Sequence, residues 1–243
     1  MQFISIKDKG RIGQVLKSWP RPAAGARIAV VTDGSRILGL GDLGVNGMPI
    51  SIGKLSLYVA AAGIRPETTV PICLDLGTNN QKFLDDPLYL GLRHKRIAND
   101  VMDAFMEEFM FEMKRTFPDL LLQFEDFSTD HAFHYLEAFR NRDSVNCVFN
   151  DDIQGTGSVV LGGFINAAKL SSAASNRPLT DHRILFIGSG SAGVGVAMQL
   201  QSFFTLAGLS EKEARERIYL VDSQGLVYDA RGELAEHKRC TYL

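Results

Sequence analysis

One stretch constrains the fold more than any other. Residues 183–195 read RILFIGSGSAGVG, an apolar run that enters Gly188-Ser189-Gly190-Ser191-Ala192-Gly193 and continues into a helical pattern of small residues. A G-x-G-x-x-G string is weak by itself and gains weight between a strand and a helix, where each glycine has a task. Gly188 serves the tight turn, Gly190 lets a pyrophosphate approach the backbone, and Gly193 lets the helix pack closely on the strand. The next apolar run, 218–221 (IYLV), ends in Asp222, a candidate acceptor for a ribose 2′-hydroxyl. Its separation from the glycines exceeds the usual ~20 residues. The stretch 210–217 (SEKEARER) fills the difference as an extra solvated helical turn. Ser223 follows Asp222 where some enzymes hold a basic residue for the phosphate of NADP, so the motif does not separate NAD from NADP.

The rest of the chain repeats this alternation of apolar β-branched runs and helical patterns, which predicts an α/β fold with a parallel sheet. Strands are expected at 27–32 (RIAVVT), 70–76 (VPICLDL), 120–124 (LLLQF) and 146–149 (NCVF), besides the two already named. Helices are expected at 54–62, apolar on most sides and therefore buried, and at 101–117, where Val101, Phe105, Phe109 and Met113 recur at i, i+4. Further helices are expected at 130–140 with Asp130 as N-cap, at 153–170, and at 192–206. A boundary is expected near Asn150, dividing residues 1–149 from 150–243, and the polar stretch 171–180 (SSAASNRPLT) reads as a linker. With 243 residues, of which 45% are hydrophobic and 22% charged, the chain can build the cores of two such domains.

Two acidic pairs stand at strand ends. LLLQFED places Glu125 and Asp126 after one strand, and NCVFNDD places Asp151 and Asp152 after the next. In open parallel sheets ligands bind outside the carboxyl ends of the strands. Carboxylates gathered there repel one another unless a cation relieves them, and oxygen donors without Cys or His suit Mg²⁺ or Mn²⁺ better than Zn²⁺. The alternative is that these are loop and helix-cap acids, since Asp151 and Asp152 precede a helix whose dipole favours negative charge. From Asp33 the chain reads DGSRILGLGDLGVNGMPISIGK, with six glycines. Arg36 in this stretch can hold a carboxylate through its fork. Lys54, at the expected start of a helix, is placed where desolvation and the positive helix end lower a lysine's pKa and make it a usable base. An irregular surface loop with a snorkelling lysine is the equal alternative.

Charge and cysteine content exclude other classes. Twenty-six Lys and Arg against 28 Asp and Glu leave a net charge of −2 and no basic block, which argues against a nucleic-acid partner. No apolar run approaches the roughly 20 residues that span a bilayer, and MQFISIKDKG is no signal peptide. Cys73, Cys147 and Cys240 show neither a disulfide framework nor a zinc spacing and are expected as buried small hydrophobes.

Together these segments resemble the malic enzymes. The resemblance is carried by VTDGSRILGLGDLG (31–44), IGKLSLYVAAAGIRP (52–66), CLDLGTNN (73–80), LYLGLRHKR (88–96), QFEDF (123–127), FNDDIQGTG (149–157) and GSGSAGVG (188–195). It covers nearly the whole chain, and the wording of several segments is similar to fungal members. It implies a parallel-sheet substrate and metal domain followed by a Rossmann-type NAD(P)-binding domain. It also implies oxidative decarboxylation of L-malate to pyruvate and CO₂, with NAD or NADP and Mg²⁺ or Mn²⁺. By motif, the family's metal ligands fall on Glu125, Asp126 and Asp152, with Asp151 in the same catalytic cluster. The lysine base falls on Lys54 and the malate-holding arginine on Arg36. The resemblance implies that Lys54 takes the proton of the malate C2 hydroxyl as hydride leaves for the nicotinamide.

The chain departs from the family pattern in three places. GMPISIGK carries Pro49 where the family has a glycine after the methionine, which puts the loop conformation in question. The family's tyrosine acid lies in a YTPTVG-like motif that does not occur here, and Tyr58, Tyr89 and Tyr135 stand in other contexts. The asparagines that follow the nucleotide motif in the family do not occur either. The chain is therefore expected to be a central part of a longer enzyme and inactive by itself. Homo-oligomerisation and a mitochondrial or cytoplasmic address are implied only for the longer protein. Malolactic enzyme, which converts malate to lactate, shares these motifs, and a catalytically dead interaction subunit is a third reading.

Overall fold

A computed structural model of the chain describes residues 2–19 and 25–232, together with 234 and 237; the side chain of residue 229 is not described. Cys240 lies outside the described residues. The chain divides into two compact units, Met1–Phe149 and Asn150–Leu243.

The first unit is built on a five-stranded sheet. Its strands are β1 (Gln2–Ser5), β2 (Ile28–Thr32), β3 (Thr69–Asp75), β4 (Leu121–Phe124) and β5 (Val148–Asn150), in the spatial order β1-β3-β2-β4-β5. β1 pairs with β3, β3 with β2 and β2 with β4, all parallel. Every residue of β2 is buried, as a central strand covered on both faces demands. The helices are α1 (Ile12–Lys17), α2 (Met48–Ala62), α3 (Gln81–Asp85), α4 (Asn99–Thr116) and α5 (Thr129–Phe139).

Three local expectations are corrected. The buried face of α4 runs through Met102, Phe105, Met106, Phe109, Met110 and Met113, whereas Val101 is exposed. The stripe at i, i+3, i+4 is wider than the i, i+4 series through Val101 and is turned away from it. α2 begins at Met48 with Pro49 in its first turn, where the missing N–H costs no helical hydrogen bond. It is not a buried helix: Met48, Ser51 and Leu55 face the sheet, while Ile52 and Leu57 are exposed. α5 is entered through Ser128, and Asp130 lies within its first turn rather than capping it.

The second unit opens with a π-helical turn, Asp151–Gly155, that runs into α6 (Thr156–Ser175). The expected linker therefore starts later, because 171–175 completes the helix and Asn176, in the left-handed conformation, ends it. β6 (Ile184–Ile187) and β7 (Ile218–Asp222) pair in parallel around α7 (Ser191–Leu206) and α8 (Glu211–Arg215), and β8 (Gly225–Leu226) turns back antiparallel on β7. A capping box of Ser210 and Glu213 starts α8, the extra turn expected before β7. α7 approaches the π-helical turn so closely that a Cβ on Gly195 would meet the Ile153 carbonyl oxygen at 2.4 Å.

Candidate functional site

In the first unit the chemistry gathers at the carboxyl ends of β2, β3 and β4. β2 runs into Thr32 and Asp33, both buried, and the chain then turns through Gly34 at φ +65°. A Cβ there would meet the Gly44 carbonyl oxygen at 2.1 Å, so no other residue fits. Asp33 accepts from Ser35 N at 3.0 Å and Ser35 Oγ at 2.6 Å. Ser35 Oγ in turn accepts from Ser128 N at 2.8 Å, and Arg36 N donates to the Asp126 carbonyl at 3.1 Å. The glycine-rich loop that carries Arg36 is thus stitched to the turn that carries Asp126. That turn holds Asp126 at φ +56°, a left-handed conformation that is uncommon outside glycine and that Asp tolerates better than most residues. The Arg36 side chain is exposed.

Lys54 Nζ lies 3.0 Å from Glu125 Oε1, a buried carboxylate. The other oxygen of Glu125 accepts from the Gln123 amide, whose own oxygen accepts from the Tyr58 hydroxyl. Lys54 and Tyr58 sit one turn apart on the same face of α2, so one helix face supplies both ends of this chain of contacts. Lys54 lies in the second turn of α2 rather than at its start. The helix dipole, which fades within the first turn, therefore does not act on it, and its near neighbour is the buried Glu125 carboxylate.

The residue that sequence reading passed over is Arg96. Its guanidinium forks onto Asp42, with Nε to Oδ2 at 2.9 Å and Nη2 to Oδ1 at 2.8 Å. It also reaches the Asp33 carboxylate at 3.3 Å and the Asp33 carbonyl at 3.0 Å. Asp42 accepts besides from Thr78 Oγ1 at 3.0 Å and Asn79 N at 2.8 Å. One buried cation thus ties together the loops after β2 and β3. Burial pushes the Asp42 carboxyl up, but the Arg96 fork and charge, with Asn79 and Thr78, hold it below its usual value of 3.8. A lowered folded-state pKa contributes stability that is present above the unfolded value and lost as pH falls through the folded one. Asp42→Asn is therefore expected to lower the melting temperature at pH 7 and to approach the unmodified chain as pH falls below the ordinary carboxylate range, in melts followed against pH.

Cys73 is buried, and burial pushes its thiol up, the behaviour of a structural rather than a reactive cysteine. Cys147 is exposed, contrary to expectation.

In the second unit the glycine motif forms the turn between β6 and α7. Gly188 adopts φ +122°, and its N–H bonds to the Val221 carbonyl at 2.8 Å. A Cβ on Gly193 would strike the Gly188 carbonyl oxygen at 2.3 Å. Gly190 is the N-cap residue of α7 and has no side chain to obstruct the helix terminus. Asp222 ends β7 beside this turn. Gly195, which holds α7 against the π-helical turn, went unnoticed because its partner Ile153 is distant in sequence. Asp151 and Asp152 lie in the first turn of the π-helical segment, so their helix-cap reading and their ligand reading coexist. Among the described residues no group of three His, Cys, Asp or Glu side chains is gathered as a metal cage.

A family model described as malic enzyme, N-terminal domain, matches residues 1–140, and one described as malic enzyme, NAD binding domain, matches residues 153–242. The NADP-dependent malic enzyme of Dictyostelium discoideum is 48% identical over 238 residues, covering 98% of this chain and 42% of that protein. The NAD-dependent malic enzyme of Edwardsiella ictaluri is 50% identical over 227 residues, covering 93% and 39%. Among solved structures, the NAD-dependent malic enzyme from Thermotoga maritima superposes with a TM-score of 0.61 at 25% identity, covering 90% of this chain and 48% of that one. The chain spans less than half the length of each of these proteins. With 140 of its 243 residues matched by the first family model alone, and the second spanning most of the remainder, the chain belongs to the malic enzyme family.

Proposed function

We propose that this chain supplies the base, the substrate arginine, the metal ligands and the nucleotide turn for oxidative decarboxylation of L-malate to pyruvate and CO₂ with NAD(P)⁺. The observation that carries the reading is the Lys54–Glu125 pair at 3.0 Å at the carboxyl end of the sheet, beside the stitched turn of Asp126 and the loop of Arg36. Lys54 accepts the proton of the C2 hydroxyl, which needs an amine held near the substrate and a carboxylate to take up the charge it gains. Arg36, exposed and on a braced loop, holds a substrate carboxylate through its fork. Asp151 stands beside Asp152 in the π-helical turn and is the further acid that the resemblance implies.

The donor chemistry fits a hard divalent cation. Glu125 and Asp126 are buried, oxygen-only donors at one strand end, and the family resemblance adds Asp152 of the NDDIQG motif to the ligand set. Mg²⁺ or Mn²⁺ held there supplies Lewis-acid stabilisation of the oxygen charge that develops on the substrate. The nucleotide turn fits a dinucleotide, because Gly188 at φ +122° makes the tight turn and Gly193 lets α7 pack against it, and the nucleotide supplies the hydride acceptor. The reading assigns residues 1–149 to substrate and metal and 150–243 to the nucleotide.

The test is product analysis of the protein that carries this sequence, with L-malate, Mn²⁺ and either nucleotide. Pyruvate and CO₂ in step with reduced nucleotide, abolished by a chelator, are expected. Lactate without net reduction of nucleotide would assign the malolactic reaction instead.

A further inference from the structure

We infer, resting on the proposed reading of Glu125 as a cation ligand, that Gln123 and Tyr58 are positioning residues: Tyr58 orients the Gln123 amide, and the amide holds one oxygen of Glu125, so that the carboxylate is presented in a single orientation. Side chains alternate along a strand, so Leu121, Gln123 and, one residue past the end of β4, Glu125 share a face. In the parallel register with β2, Gln123 stands opposite Val30. Val30 forms a buried apolar cluster with Ile28 and Leu55, and Tyr58, Ile64 and Leu121 pack against it. An amide with no exposed surface therefore stands beside aliphatic side chains, on the face of the sheet that α2 covers. Packing alone would favour Leu or Val at this place. Burying an amide is costly, and hydrogen bonds at both of its ends are what offset the cost.

The direction of those bonds is fixed from the Glu125 end. An ionised carboxylate only accepts, so the Gln123 amide turns its Nε2 to Glu125 Oε2. The amide oxygen then points the other way and needs a donor, which is the Tyr58 hydroxyl. Reversed, the amide would set its oxygen against a carboxylate oxygen. Lys54, one turn before Tyr58 on α2, meets the other oxygen, Oε1, at 3.0 Å. One helix thus grips the same carboxylate twice, directly at Oε1 and through Gln123 at Oε2. The terminal torsion of a glutamate is soft when the group is free, and contacts at both oxygens remove that freedom. Outer partners of this kind orient a metal ligand and are felt in the affinity for the ion.

The experiment is a titration with Mn²⁺ alone, read from the electron paramagnetic resonance of the free ion, on the longer protein that carries this sequence. It compares the unmodified protein with Gln123→Met, Tyr58→Phe and the double variant, and records the metal-free melting temperature of each. Gln123→Met keeps the length of the side chain and deletes both hydrogen bonds. It is expected to raise the Mn²⁺ dissociation constant by about 10–100-fold, while the metal-free melting temperature stays close to that of the unmodified protein. Tyr58→Phe, which removes a single oxygen from a half-buried ring, is expected to raise the constant by a smaller factor and keeps the question answerable if methionine does not fold. The double variant is expected to lose no more than Gln123→Met, because Tyr58 acts only through the amide. Losses that multiply in the double variant would overturn the inference. So would a lowered melting temperature with an unchanged Mn²⁺ constant, which is what a purely structural amide gives; the reading of Glu125 as a ligand would then survive. Failure of the unmodified protein to bind Mn²⁺ overturns that reading and the inference with it.

Discussion

Arg96→Met is expected to destabilise the chain by about 3–5 kcal/mol, the cost of removing one partner from a buried ionic cluster. The guanidinium makes four hydrogen bonds to Asp33 and Asp42. The Asp33 side chain has no exposure at all, and that of Asp42 has 15%. Without the cation the buried Asp33 carboxylate and the partly buried Asp42 carboxylate, both in the loop that follows β2, lose the charge that holds them together. In a thermal melt the shift is expected to be about 10 °C or more. Adding Asp33→Asn and Asp42→Asn to Arg96→Met is expected to recover part of the loss, because the residual charge is then gone. A midpoint for Arg96→Met within about 2 °C of the unmodified chain would show that the cluster holds nothing. The same substitution releases the Asp33–Ser35 turn and hence the loop of Arg36, so on the proposed function a rise in the KM for malate of the longer protein is expected to exceed any fall in kcat.

On the proposed function, Lys54→Ala in the longer protein that carries this sequence is expected to lower kcat for malate oxidation by about 10²–10⁴, the range for loss of a positioned general base. Alanine also strands the buried Glu125 carboxylate, which Lys54 meets at 3.0 Å, so this variant mixes two effects. Lys54→Arg separates them. Arginine keeps the cation beside Glu125 and is effectively always protonated, so it cannot accept the hydroxyl proton. The expected result is an arginine variant that melts close to the unmodified protein, binds its nucleotide normally and still loses about two orders of magnitude or more in kcat. Full activity in Lys54→Arg would remove the base assignment and leave Lys54 as a charge partner only.

The strands were legible wherever burial made them continuous apolar runs. β2, β3, β4, β6 and β7 lie within a residue or two of their expected limits; β2 to β4 are buried along most of their length, whereas β6 keeps its apolar run although Leu185 and Ile187 are exposed. β5 starts later than expected, because Asn146 is used for its side chain, which bonds the carbonyls of Phe117 and Leu120. β1 escaped notice because four residues, QFIS, alternating between buried and exposed, carry too little pattern to be read without the strand β3 that pairs with them. The start of α2 was hidden by Pro49, which reads as a breaker in a loop and is compatible with a first helical turn once the helix is there.

The division is sharper at the two candidate sites. Contiguous residues determined the glycine turn: Gly188, Gly190 and Gly193 act on one another within a single strand-turn-helix, and their spacing is their geometry. The acid pairs at strand ends and the glycine-rich loop were visible in the same way. Only the tertiary structure decided what surrounds them. Arg96 reaches Asp33 and Asp42 across 63 and 54 residues, Tyr58 reaches Gln123 across 65, and the Asp126 turn is stitched to a serine 93 residues before Ser128. No periodicity or spacing encodes such pairs, because they exist only after parallel strands from distant segments have brought their carboxyl ends to one edge. A charge pair buried there is set by the low polarity and the fixed geometry of that edge, neither of which is a property of any stretch of sequence.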